Sequence, residues 1–364
     1  MIKALFLVPL LLMLCSCEQA VDQPTDISNE PDWTLMGFSK VDSLNPILRP
    51  QANQIFTCPL SQSSLAWEAK NVLNPAAVVK DDQIYLMYRA QDENMTSRLG
   101  LAVSNDGLHF QKQPQPVFFP QADSMQVYEW PGGVEDPRIV ESEEGQYILT
   151  YTAYDGNTAR LCLATSKDLI TWTKHGLVLN QQKYRDTWSK AGAIVCRREG
   201  QRLIATKLQG KYWMYFGDTD IFMATSHDLI HWQVLENEEN GKMVSVLNPR
   251  PGRFDSRLVE PGPYALLTEA GILLIYNGSN AANLNDPELP KFTYAAGQAL
   301  FDKQQPYKLL DRTENYFIHP DKPYEKVGEV NEVCFVEGLV YFKNAWYLYY
   351  GTADSKIAVA VNYP

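Results

Sequence analysis

One seven-residue turn occurs three times in this chain, and no other feature restricts its fold as tightly. Ser104-Asn105-Asp106-Gly107-Leu108-His109-Phe110, Ser166-Lys167-Asp168-Leu169-Ile170-Thr171-Trp172 and Ser226-His227-Asp228-Leu229-Ile230-His231-Trp232 share a Ser, an Asp two places on and a closing aromatic residue. Their starts lie 62 and 60 residues apart. Each follows a strand of small residues: Leu99-Gly-Leu-Ala-Val103, Leu161-Cys-Leu-Ala-Thr165 and Ile221-Phe-Met-Ala-Thr225. The Ser and Asp side chains can close a tight turn on backbone N–H groups, and the aromatic residue anchors the returning strand.

A second element precedes each turn, as Ile84-Tyr-Leu-Met-Tyr88, Tyr147-Ile-Leu-Thr-Tyr151 and Leu203-Ile-Ala-Thr206. It recurs as Ile272-Leu-Leu-Ile-Tyr276 and Trp346-Tyr-Leu-Tyr-Tyr350. Helical periodicity is nearly absent. Five repeats of roughly 55 to 75 residues, all strand and turn, predict an all-β chain folded as a five-bladed β-propeller. A β-sandwich is the competing architecture. In a propeller the innermost strands converge on one axis, so functional side chains are expected from the whole length of the sequence.

With 364 residues, 45% of them hydrophobic, the chain can bury a large core. Aromatic residues at 12% suit both stacked sheets and the C–H faces of sugars. A net charge of −11 with no basic run excludes nucleic acid as a partner. Met1-Ile2-Lys3 and the apolar run Ala4 to Met13 precede Leu14-Cys15-Ser16-Cys17, which resembles a bacterial lipobox. Residues 1–16 are therefore expected to be a lipoprotein signal peptide and 17–40 a polar tether, with 41–364 forming the five-bladed propeller. Cys17 would carry the lipid, the only link to a membrane, and the protein would sit in a bacterial cell envelope, facing the periplasm or the outside. Cys58, Cys162, Cys196 and Cys334 show no paired spacing and read as buried thiols. No His/Cys/carboxylate cluster has metal-ligand spacing, and no metal or cofactor is expected.

Chemistry concentrates in Trp130-Pro131-Gly132-Gly133-Val134-Glu135-Asp136-Pro137-Arg138-Ile139. Two glycines allow a ligand close to the backbone, and in extended chain Glu135 and Asp136 point to opposite faces. This stretch, with Asn74-Pro75-Ala76, Tyr88-Arg89 and Ser189-Lys190-Ala191-Gly192, resembles glycoside hydrolase family 130, the mannoside phosphorylases and related β-mannosidases. Glu260-Pro261-Gly262-Pro263-Tyr264 with Tyr276-Asn277-Gly278, and Gly328 to Phe335 with Tyr349 to Asp354, resemble its fourth and fifth signatures. The resemblance implies an inverting enzyme acting on terminal β-mannosides, with a β-1,2 linkage and manno-oligosaccharide substrates. It puts the general acid on Asp136, acting through a sugar hydroxyl, and sugar contacts on Asn74, Arg89 and Asp354. Glu135, Arg138 and Lys190 complete the substrate-binding set.

The opposing group is less defined. Glu260, in a rigid Pro-Gly-Pro loop, is the first candidate base, with a salt bridge to Arg253 or Arg257 as the alternative. Asp218, after Tyr212-Trp-Met-Tyr-Phe216, is the second, and Glu332 and Glu337 come after it, with ion pairs to Lys322 or Lys326 as their alternative. Trp130, Trp188, Tyr212 and Trp213 are candidates for sugar stacking or for core. The family's phosphorylases carry a phosphate-binding His after the fourth-signature Tyr, where this chain has Asn277. Carboxylates nearby would repel phosphate and suit a base acting on water. The sequence thus predicts a hydrolytic β-mannosidase. The alternatives are a β-mannoside phosphorylase releasing mannose 1-phosphate, a non-catalytic sugar-binding lipoprotein, and an arabinan- or fructan-cleaving propeller.

Overall fold

The structure, a computed structural model, describes residues 31–364. The signal peptide and Cys17 lie outside the described residues. The described chain is all-β, with two four-residue helices, Gln126–Glu129 and Pro323–Lys326.

All three repeated turns form with one hydrogen-bond pattern. In the middle copy Ser166 Oγ accepts from the N–H groups of Asp168 and Leu169, and Asp168 Oδ1 accepts from those of Ile170 and Thr171 at 2.9 and 2.7 Å. The Ser104–Asp106 and Ser226–Asp228 copies repeat these bonds. The fourth residue is left-handed in each, Gly107 at φ 78°, Leu169 at 70° and Leu229 at 69°. Asp168→Ala removes the side-chain acceptor of two backbone N–H groups at once. It should lower stability by about 1–2 kcal/mol, read as a reduced urea midpoint at unchanged slope; an unchanged midpoint would show that the turn contributes nothing.

The strands follow one another as antiparallel sets. Asn71–Lys80, Gln83–Gln91, Ser97–Ser104 and Gln111–Lys112 pair in order. Gly133–Glu141, Tyr147–Tyr154, Ala159–Ser166 and Trp172–Leu177 do the same. In the next set Ala193–Glu199 pairs with both Arg202–Ala205 and Tyr212–Phe216, and the latter continues to Ile221–Ser226. The middle strand of this set is therefore Tyr212–Phe216 rather than Leu203 to Thr206 as the repeat pattern suggested. Trp213 accordingly belongs to the core, its indole N–H bonded to the Leu208 carbonyl. Leu258–Pro261, Ile272–Ser279, Tyr294–Phe301 and Leu309–Arg312 follow, then Cys334–Phe342, Ala345–Thr352 and Lys356–Asn362.

A tyrosine of the middle strand donates to a fully buried carboxylate in four sets, and that carboxylate also holds a cation. The groups are Tyr88–Glu68–Lys112, Tyr151–Glu129–Lys174, Tyr276–Asp255–Arg312 and Tyr350–Glu325–Lys40. Glu68 and Asp255 lie in irregular connections and Glu129 and Glu325 in the two short helices, so each triad pins the segment between strands to its sheet. Pairing satisfies charges whose isolated burial would be strongly unfavourable. The thiols of Cys58, Cys162, Cys196 and Cys334 are free and buried, as expected.

The last set is completed from the other end of the chain. Ser39–Lys40 pairs with Lys356–Asn362, Ser39 opposite Val361 and Lys40 opposite Ala360. The Trp33 indole donates to Asp311, and Leu35 exchanges bonds with the Gln298 side chain. Residues 31–40, placed in the tether by composition, are thus docked on the body, because polar spacing hid a two-residue edge strand.

Candidate active site

The leading strands Asn71–Lys80, Gly133–Glu141 and Cys334–Phe342 are buried along nearly their whole length. Such strands ordinarily read as continuous apolar runs, so their polar residues need a reason. Each of the three carries a one-residue bulge, between Leu73 and Pro75, Glu135 and Arg138, and Val336 and Gly338. The extra residue lifts Asn74, the Asp136-Pro137 step and Glu337 out of the pleat. Asn74 and Asp136 take left-handed φ of 45° and 46°, a conformation that Asn and Asp adopt more readily than other side-chain-bearing residues.

The bulge corrects the expectation that Glu135 and Asp136 face apart. Both carboxylates meet one guanidinium: Arg89 Nη2 donates to Glu135 Oε1 at 2.6 Å and Nη1 to Asp136 Oδ1 at 3.1 Å. Asn74 donates to the same Asp136 oxygen at 2.9 Å, and Ser97 to Glu135 at 3.1 Å. The glycines serve chain packing instead of a ligand. A Cβ on Gly133 would overlap the Ser97 carbonyl, and one on Gly132 the Tyr154 ring.

Lys190 joins the acid to its first candidate partner. Its Nζ lies 3.2 Å from Asp136 Oδ2 and 3.3 Å from Glu260 Oε1. Glu260 is therefore not held by the surface arginines: Arg253 pairs with Glu314, and Arg257 lies over the Phe292 ring. Asp218 stands at the edge, its Oδ2 accepting from the Trp188 indole at 2.7 Å. Asp354, at φ 48°, is within the field of Arg89 and Asp136.

Arg138 and Glu337 lie behind this group. Arg138 was expected to touch substrate, but the side chain is buried and donates to the carbonyls of Pro261 and Gly262, both at 2.6 Å. Glu337, a lower-ranked candidate base, is 3.6 Å from Arg138 and not paired with Lys322 or Lys326. Lys322 pairs with Asp42 and Asp321. Trp188 is half exposed beside Asp218, whereas Trp130 and Tyr212 pack against the main core. Two contributors were missed: Tyr294, within electrostatic reach of Glu260, Lys190 and Asp354, and Ser97. Neither carries a local motif.

Six carboxylates, Glu135, Asp136, Asp218, Glu260, Glu337 and Asp354, thus gather around three cations. Burial alone would push Asp136 up, but Lys190, Arg89, the Asn74 bond and Arg138 outweigh it and hold this carboxyl well below the usual range. Burial dominates at Glu260, pushed up to about 7 against the pull of Lys190 and Arg138. Asp354 rises to about 6 and Glu337 well above its ordinary value, burial leading in both. Burial works against the Lys190 charge, yet Glu260, Asp136 and Asp218 keep it protonated. In the free protein Asp136 is the anion and Glu260 sits near its midpoint at neutral pH.

Residues 42–363 match the glycoside hydrolase family 130 model, described as beta-1,4-mannooligosaccharide phosphorylase. The chain belongs to this family. Glycoside hydrolase family 130 is a family of enzymes acting on glycosides, and the resemblance drawn from the signatures holds over nearly the whole described chain. A 1,2-beta-oligomannan phosphorylase from Thermoanaerobacter sp. (strain X514) is 31% identical over 327 residues, 87% of this chain and 94% of the relative. The structure of a glycosyl hydrolase from Bacteroides ovatus superposes with a TM-score of 0.90 at 43% identity, covering 92% of this chain and 96% of that one. A second structure matches at TM-score 0.90 and 42% identity with the same coverage; it comes from work stating that the family contains glycoside hydrolases that target beta-1,2 mannosidic linkages in Candida mannan.

Proposed function

We propose that this family member cleaves terminal β-mannosides of manno-oligosaccharides with inversion, and that water is its acceptor. The observation that carries the reading is the single ammonium of Lys190 set between Asp136 and Glu260. In this reading Asp136 is the general acid and Glu260 the base, with Asp218 the second candidate. Asn74, Arg89, Glu135 and Asp354 hold the sugar beside the cleaved bond, and the strand sets are the five blades of a propeller whose axis runs through this cluster.

Phosphorolysis is the second reading, and the curated relative's name backs it better than hydrolysis. What supports water is local charge. The carboxylates outnumber the cations, and a phosphate dianion among them would meet net repulsion. Asn277, where the phosphorylases of the family place a His, is fully buried, and its carboxamide exchanges bonds with the Val336 backbone at 3.0 and 2.8 Å. The β-1,2 linkage is supported by the names of the Thermoanaerobacter relative and of the second structure. The envelope location and lipid on Cys17 belong to the same proposal.

Incubating the protein with β-1,2-mannobiose, with and without inorganic phosphate, separates the acceptors. We expect mannose at the same rate in both. Mannose 1-phosphate formed only when phosphate is present would overturn water as the acceptor, and sugar binding without turnover in either condition would favour the non-catalytic reading.

A further inference from the structure

Arg138 touches three segments that carry the proposed chemistry. Its Nε donates to the Gly262 carbonyl, its Nη2 to that of Pro261 and its Nη1, at 3.3 Å, to that of Asp136. One planar fork therefore grips the backbone of the acid and the two residues directly after Glu260. Glu337 Oε1 stands 3.6 Å from Nη1, and neither of its oxygens has a hydrogen-bond partner among the described residues. Asn277 lies opposite Glu260 in the strand register and ties that strand to Val336, the neighbour of Glu337. The strands Gly133–Glu141, Leu258–Pro261 and Cys334–Phe342 thus meet at one guanidinium, whose three nitrogens all donate to backbone carbonyls.

We infer that Arg138 is a positioning residue: it sets the separation of the Asp136 and Glu260 carboxylates, with the Glu337 carboxyl packed against its guanidinium to keep it in place. The inference rests on the acid–base reading above. A lysine would keep the charge but lose the fork, since one ammonium cannot serve carbonyls in this planar arrangement. The effect of Arg138→Lys is therefore geometric. Misplacement of a reacting group by ~1 Å costs on the order of 10²-fold in rate.

Two readouts test this on the whole protein. In crystal structures of wild type and Arg138→Lys, the Asp136–Glu260 separation should change by about 1 Å; an unchanged separation overturns the inference. In kinetics on β-1,2-mannobiose, kcat should fall about 10²-fold with KM within threefold. A raised KM at retained kcat would make Arg138 a substrate contact and also overturn it. Glu337→Gln, which keeps volume and an acceptor oxygen, should lower kcat at constant KM, and a rise in KM there counts equally against the inference. Wild type inert on every β-mannoside would sink the functional reading instead, while the crystallographic comparison still decides the geometry.

Discussion

Asp136→Asn should lower turnover of β-1,2-mannobiose by about 10³-fold or more, the scale at which a lost general acid is felt together with its charge. The amide preserves the shape and can still meet Asn74 and Arg89, so binding of mannose should survive within a few-fold. Calorimetric titration with mannose beside the rate assay separates the two effects. Asp136 also neutralises Arg89 and Lys190, and its replacement leaves Glu135 and Glu260 to hold them. A variant retaining a tenth or more of wild-type turnover would remove Asp136 from the chemistry.

Glu260→Gln should lower the rate by about 10²–10⁴-fold, the range for loss of a general base. The pH profile of the wild type adds a sign. Asp136 and Glu260 together must hold one proton for an acid–base pair to work. Glu260 titrates at about 7 and Asp136 far lower, so the singly protonated pair prevails below about pH 7. kcat/KM should therefore decline as pH rises through neutrality, when the pair loses its last proton. The proton resides mainly on Glu260 in the free protein and must pass to Asp136 in the reacting complex. A rate that instead increased through pH 7 to 9 would contradict this proton count.

Much of the fold was legible because it is written in local chemistry. The Ser-x-Asp turns need only side chains two and three residues from the backbone they bind, and all three formed as expected. The third middle strand was misplaced because Arg202–Ala205 also pairs with Ala193–Glu199, so two segments compete for one pattern. The site was legible by residue type and not by geometry. Strand alternation put Glu135 and Asp136 on opposite faces, and a bulge brought both to Arg89. The Lys190–Glu260 and Arg138–Glu337 pairings join residues far apart in sequence, where no spacing rule applies. The carboxylate–tyrosine–cation triads were invisible too, their acids lying in turns and short helices between the strands, where no strand spacing places them.

The pairing of Ser39–Lys40 with Lys356–Asn362 also bears on how the chain is made. A nascent chain releases Lys40 more than three hundred residues before its partner Ala360 exists. At ordinary synthesis rates that interval is on the order of tens of seconds. Through it the N-terminal strand has no partner, and the ring of strands stays open with unpaired edges of the kind that recruit other chains. Edge-to-edge pairing with other chains is therefore a hazard of the interval before the final residues arrive.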